Sequence, residues 1–236
     1  MKKIVVLTGA GVSAESGLST YRDNNGLWDN YDPMEVASIE GWHRDKKKVL
    51  SFYNMQRKKL SAVEPNDAHK AIASLQDSYD VCVITQNVDN LHERAGSRNV
   101  IHLHGEAVKV RPEYGEYDRT YSEKEVIDVG YAEVNPGDVT SDGRQLRPHI
   151  VFFGEAVPKI QDAANIVSQA DILLIVGTSF QVYPAAGLYQ YARYDAKIYV
   201  IDPADIPVPS SRIVHIKENA TSGMQRFLSM IADSYR

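Results

Sequence analysis

Short apolar runs rich in β-branched residues recur along this chain: Lys3 to Thr8, Val81 to Ile84, Val100 to Leu103, Ile172 to Val176 and Lys197 to Ile201. Each is too short for a core helix and almost unbroken in apolarity, the pattern of a strand buried on both faces. Segments of helical spacing lie between them at Asn66 to Leu75 behind Pro65, Ile160 to Ala170 and Pro184 to Tyr194, and Ser222 to Tyr235 closes the chain. The alternation predicts an α/β protein in which a parallel sheet carries helices on both faces. Two stretches interrupt it. Residues 34 to 62 read as helical, with Val49, Leu50, Phe52, Tyr53 and Leu60 among basic residues, while Arg111 to Arg147 is polar, rich in Tyr, Glu, Asp and Gly, and without sustained periodicity. The expected organisation is a single unit whose large part takes residues 1–33, 66–110 and 148–236, with small inserted parts at 34–65 and 111–147.

The strand ends carry the chemistry, because ligands of open parallel sheets bind beyond the carboxyl ends of the strands. Lys3 to Thr8 runs into Gly9-Ala10-Gly11-Val12-Ser13-Ala14. Gly9, Gly11 and Ala14 fit the Gly-x-Gly-x-x-Gly/Ala spacing of dinucleotide-binding turns, where small residues let backbone approach a pyrophosphate at the start of a helix. A dehydrogenase-type fold would continue to a second strand ending in an acidic residue that holds the adenine ribose. None appears; Leu18 to Trp28 is a polar, aromatic, glycine-containing loop suited to covering a ligand. Val81 to Ile84 ends in Thr85-Gln86-Asn87-Val88-Asp89-Asn90, side chains that a core would not accept without partners. Val100 to Leu103 delivers His104 beside Gly105, where an imidazole is either a general base or a satisfied core histidine. Gly177-Thr178-Ser179 ends a further strand, and alone reads as a helix N-cap; Asp202 ends another. On a parallel sheet these groups converge on one edge, which suits a large polar ligand. His149 to Glu155 reads as one more strand, closing at glycine.

Composition removes other classes. With 43% hydrophobic and 24% charged residues the chain is an ordinary globular one, and no apolar run is long enough to span a bilayer. Met1-Lys2-Lys3 leads directly into Ile4-Val5-Val6-Leu7 without a cleavable apolar region, so a cytoplasmic location with no membrane partner is expected. A net charge of -5 opposes any global attraction to nucleic acid, and the basic clusters Arg44 to Lys48 and Arg57 to Lys59 read as solvated helix faces. The single cysteine, Cys82, excludes an intrachain disulfide and a cysteine-rich metal site, and reads as a small buried hydrophobe.

Gly9 to Gly17 with Tyr21-Arg22, Thr85 to His92 with Arg94-Ala95-Gly96, His104-Gly105, Phe153-Gly154-Glu155 and Gly177-Thr178-Ser179 together resemble, in order, the motifs of the sirtuins. These are the silent-information-regulator family of NAD-dependent protein lysine deacylases, and Gly26-Leu27-Trp28 and Arg147-Pro148-His149 are similar to its bacterial branch. The resemblance implies a Rossmann-like fold forming one catalytic unit, with NAD consumed as co-substrate. The acyl oxygen of an acyl-lysine would attack C1′ of the nicotinamide ribose, nicotinamide would leave, and the acyl group would end on ADP-ribose. It further implies His104 as the base toward a ribose hydroxyl. Asn87 and Asp89 would hold the nicotinamide carboxamide and Gln86 the ribose. Gly9, Ala10, Gly11, Ser13, Ala14, Tyr21, Arg22, Trp28, Val88, Gly177, Thr178 and Ser179 would line the cofactor, with Asp202 by the adenosine ribose and Ala220 by the adenine. Val151, Phe153, Gly154 and Glu155 would pair as a strand with acyl-lysine proteins or peptides.

The chain departs from the family pattern in two places. Members usually carry two Cys-x-x-Cys pairs between the His-Gly and Phe-Gly-Glu motifs, holding a structural zinc; Glu106 to Phe152 contains no cysteine. Tetrahedral zinc needs four N, S or O ligands, and His149 with scattered carboxylates is a poor substitute, so no metal is expected. The module would hold itself by packing, with Tyr114, Tyr117, Tyr121 and Tyr131 as candidates. In the branch that removes succinyl and malonyl groups a Tyr-x-x-Arg pair reads the carboxylate. Here Tyr53 is followed at that spacing by Gln56, with arginine one step later at Arg57. One helical step turns a side chain by about 100°, so Arg57 is expected to point elsewhere and an uncharged acyl group to be preferred. An NAD glycohydrolase or ADP-ribosyltransferase would share the cofactor site without an acyl-lysine tunnel, and a module that only binds NAD or ADP-ribose would lack catalysis. Ile150 to Glu155 speaks against the first, and the presence of both His104 and Asn87 against the second.

Overall fold

A computed structural model of the chain describes residues 1–20, 27–114, 122–178, 183–205 and 212–233. Its strands are, in chain order, β1 (Lys3–Thr8), β2 (Asp80–Thr85), β3 (Val100–His102), β4 (Gly105–Pro112), β5 (Ile127–Asp128), β6 (Leu146–Ile150), β7 (Ile172–Val176), β8 (Lys197–Ile201) and β9 (Ile213–Ile216). Six of them form a parallel sheet in the order β3-β2-β1-β7-β8-β9, and the other three an antiparallel sheet, β5-β4-β6. In chain order the large sheet reads 3-2-1-4-5-6, the doubly wound order whose winding reverses at its centre, here between β1 and β7.

Alternation along β1 explains the two layers of helix. Ile4 and Val6 face Ile72 of helix Asp67–Ser74 and Met224 and Phe227 of helix Ala220–Asp233. Val5 and Leu7 face the opposite layer, where Ala163 and Val167 of helix Ile160–Val167 pack with Leu188. A strand whose successive side chains point to opposite faces must be apolar throughout if both faces are covered, which is why β1, β2 and β7 read as unbroken runs.

Local chemistry changes several elements from their expected form. Residues 34–62 are not one helical stretch but the helices Pro33–Val36, Ile39–Arg44 and Lys46–Ser61. Asp32, Ser38 and Asp45 each accept a backbone N–H at the start of one of them, so every segment has its own N-cap. The strand expected over His149 to Glu155 ends at Ile150 and lies in the small antiparallel sheet, with β6 paired to β4 rather than to the large sheet. β4 and β6 therefore run across positions 110 and 148, where the inserted part was expected to begin and end. Pro184 to Tyr194 forms a 3-10 helix over Ala185–Tyr191. β9 is an edge strand that periodicity missed, since half of its four residues are not buried.

The small sheet and the 33–61 helices share a core of Trp42, Phe52, Tyr53, Val110, Val134 and Phe152. Arg57 is not on a solvated face: it is fully buried, donating to Ala107 O at 3.1 Å and to Asn54 Oδ1. Two of the four candidate tyrosines fall among the described residues. Tyr131 is exposed and bonds Asn90, Tyr114 donates to Glu125 beneath the Arg144 guanidinium, and Tyr117 and Tyr121 lie outside the described residues. Among the described residues no helix is long and apolar enough to cross a membrane.

Candidate active site

At the winding reversal the turns after β1 and β7 interlock. Gly9 N donates to Val176 O and Gly11 N to Gly177 O, each at 3.0 Å. Gly177 sits at φ +64°, and a Cβ there would meet Val12 N at 2.4 Å; a Cβ on Gly11 would meet Gly177 Cα at 2.7 Å. The glycines are thus demanded first by contact of the two turns with each other. Gly9, Ala10, Gly11, Ala14, Gly177 and Thr178 line one wall of a cavity of about 760 Å³. Gln86, Asn87, Val88 and His104 line it from the ends of β2 and β3, Trp28, Tyr53 and Gln56 from the helical insertion, and Asp202 and Ala220 from its far end. Val151, Phe153, Gly154 and Glu155 complete it. Tyr21, Arg22 and Ser179 lie outside the described residues.

His104 carries the clearest chemical state. Its Nδ1 lies 3.0 Å from Gln86 O, and a carbonyl only accepts, so Nδ1 bears the proton and Nε2 of the neutral ring has a lone pair. Burial lowers the pKa of this imidazole, opposed only by the Gln86 bond, so the basic form persists at neutral pH.

Ser13 and Asp89 stand behind the wall, against a smaller cavity of about 50 Å³ that shares Ala10, Gln56, Asn87 and Val88 with the large one. Asn87 Nδ2 donates to Gly9 O and Ser13 Oγ, both at 3.1 Å, and Ser13 Oγ donates to Asp89 Oδ2 at 2.9 Å. Burial pushes the Asp89 carboxyl up, against its bonds from Leu91 N and Ser13. His69, held by Asn66, lies 3.4 Å from Ser13 Oγ, and burial lowers it to about 4, so it is neutral there.

The segment after β6 is bonded within the chain at most of its amides. The N–H groups of Val151, Phe153 and Glu155 donate to His104 O, Ala37 O and Phe152 O, and that of Phe152 to the Glu155 carboxylate. Among the described residues the Gly154 N–H is the one amide of this segment, Val151 to Glu155, with no hydrogen bond inside the chain. Glu155 is itself engaged by Arg147 at 2.7 and 3.0 Å, with Arg111 at 3.6 Å. Arg57, bonded to Ala107 and Asn54, does not reach the cavity, whereas Gln56 does.

Sequence reading missed Glu15, Phe52, Phe152 and Asn219, which also line the cavity. Glu15 accepts from Thr221 N at 2.9 Å and Thr221 Oγ1 at 2.6 Å, a contact across 206 residues with no local signature. Phe52 has one, being adjacent to Tyr53 on the same apolar helix face.

A Sir2 family model matches residues 9–184 of the chain. An NAD-dependent protein deacylase of Bacteroides thetaiotaomicron is 50% identical over 232 residues, 98% of this chain and 98% of that protein. One of Helicobacter pylori is 48% identical over 237 residues, 99% of each. The solved structure of a Sir2 homologue in complex with NAD superposes with a TM-score of 0.85 at 37% identity, covering 100% of this chain and 91% of that one.

Proposed function

The chain belongs to the Sir2 family, and from that premise we propose that it is an NAD-dependent protein lysine deacylase that transfers the acyl group to ADP-ribose, releases nicotinamide and prefers uncharged acyl groups. The observation that carries this reading is a single cavity bordered at once by the glycine turns, by His104 and by Tyr53, Gln56 and Phe152. A cofactor alone would not need the apolar arm; an acyl-lysine side chain does. His104, neutral with Nε2 unprotonated, is suited to take a proton from a ribose hydroxyl of NAD. Asn87 and Asp89, backed by Ser13, are suited to hold the carboxamide, and Asp202 to accept from ribose hydroxyls. In the acyl arm Gln56 offers a neutral amide, so a succinyl carboxylate entering it would lose hydration without gaining an ionic partner. A cytoplasmic location accompanies this reading.

We also infer that no structural zinc is bound. Residues 106–152 supply no thiolate, and the one cluster of His and carboxylates among the described residues, Glu93, His102 and Glu106, is already neutralised by its own imidazole and by Lys109.

Mass spectrometry of products formed from NAD and an acetyl-lysine peptide tests the activity. Acyl-ADP-ribose with deacylated peptide is expected; ADP-ribose formed equally without peptide would mark a glycohydrolase instead.

A further inference from the structure

The loop from Gln86 to Asn90 hangs on two histidines two residues apart. His104 Nδ1 donates to Gln86 O, and His102 Nδ1 donates to the next carbonyl, Asn87 O, also at 3.0 Å. Their second nitrogens differ. His102 Nε2 lies 2.8 Å from Glu93 Oε1, and a carboxylate accepts, so both nitrogens of this buried ring carry protons. A ring protonated at both nitrogens is an imidazolium.

We propose that His102 is a positioning residue for this site, gripping the Asn87 carbonyl as an imidazolium, and that loss of its second proton sets the alkaline limit of turnover. A neutral ring has one N–H for two acceptors. Glu93, bearing a full charge, is the stronger acceptor and keeps it, which leaves a lone pair facing Asn87 O inside the protein. Asn87 must then move, and with it the amide that bonds Gly9 O and Ser13 Oγ.

The surroundings favour the charge from every side but one. Glu93 comes from helix Leu91–Arg94; Glu106, 4.0 Å away, comes from β4 and is shared with Lys109 at 2.7 Å. Asp89 and His92 also face the ring electrostatically; burial chiefly raises the first and lowers the second, and the His102 charge opposes the rise of Asp89 and adds to the fall of His92. Burial opposes the charge, but the Glu93 bond and the two glutamates outweigh it, so the ring stays charged above the ordinary value of 6.5. No metal is needed to account for the three ligand-type groups, since each has its partner in place.

The proposal rests on the deacylase reading, and its test separates the two. Nitrogen-resolved NMR of the wild-type imidazoles is expected to show His102 protonated at both nitrogens and losing the second proton only above pH 6.5, whatever the enzyme does. The kcat/KM for NAD in peptide deacylation should fall along an alkaline limb at that same pH. Glu93→Gln keeps an acceptor but removes the charge, so it should move the ring titration and the limb together toward acid. His102→Gln should abolish the limb and lower kcat/KM roughly tenfold or more, with melting temperature and circular dichroism read alongside. A ring that loses its second proton below pH 6.5, or a limb that stays in place in Glu93→Gln while the ring titration moves, overturns the proposal. Absence of deacylation at every pH overturns the functional reading instead, and the same limb is then sought in NAD affinity by calorimetry, where its absence overturns the proposal too.

Discussion

In the proposed reaction His104 is the base, and its environment predicts how activity depends on acid. The base works deprotonated, and burial lowers its pKa, so the acidic limb of kcat/KM should fall below the ordinary histidine value of 6.5. His104→Ala should abolish deacylation while calorimetry still registers NAD, because proton transfer follows binding. A variant that no longer binds NAD would make His104 structural. Gln56 carries the second prediction at this scale. Gln56→Arg places a fork-shaped cation in the acyl arm and should raise desuccinylation by roughly tenfold or more, with deacetylation unchanged or lower. Equal succinyl and acetyl turnover by wild-type enzyme would show that another cation serves the arm. Both residues were legible in the sequence, His104 from its place at a strand end and Gln56 from its spacing to Tyr53. The protonation of His104 was not, because it is set by Gln86 O, brought to the ring by the pairing of β2 with β3.

Among the elements, the segment from Phe152 to Glu155 is held by side chains rather than by a ladder. Arg147 stacks on Phe152 at 4.1 Å while binding Glu155 through two hydrogen bonds, and Glu155 in turn accepts from Phe152 N. Removing the charge from Glu155 strands a buried guanidinium, so Glu155→Gln should cost about 3 kcal/mol and raise the KM for peptide more than that for NAD. Arg147 and Arg111 overcome the cost of burial and lower the Glu155 pKa. This stabilisation is therefore full above the unfolded value of 4.5 and is lost as pH falls through the lower folded value. Urea titrations should show wild type and variant converging in acid; a constant gap down to pH 3 would assign the loss to packing. The runs that became β1, β2, β7 and β8 were readable because burial on both faces leaves no polar position. β9 and the true end of β6 were not. β9 is half exposed, and Val151 to Phe153 keep a strand-like composition while bonding to His104 and Ala37 outside a sheet. The capping residues Asp32, Ser38 and Asp45 were visible, yet only three separate N-caps in space divide an otherwise continuous helical pattern.

For the whole molecule, the question is what holds the small antiparallel sheet in place if, as proposed, no zinc is bound. The answer is the shared apolar core of Trp42, Phe52, Tyr53, Val110 and Phe152, which joins this sheet to the helical insertion. Strong chelator should therefore leave the melting temperature unchanged and elemental analysis should find no stoichiometric zinc. One zinc per chain would refute this. The doubly wound order was foreseen in outline from strand and helix alternation, but the partnership of β4 with β6 was not. It joins residues from about 105 to 150, and no local pattern announces a contact of that separation.

The central place of β1 has a consequence for how the chain is made. Its partners on the two sides begin at Asp80 and Ile172, so β1 gains its second neighbour only when synthesis has passed Ile172. At about 5–20 residues per second that interval is on the order of ten seconds or more. Throughout it Ile4-Val5-Val6-Leu7, fully enclosed in the finished fold, has at least one bare edge. β1 is thus translated long before the neighbour that seals it, which makes it a place where a chaperone that shields nascent chains has much to protect.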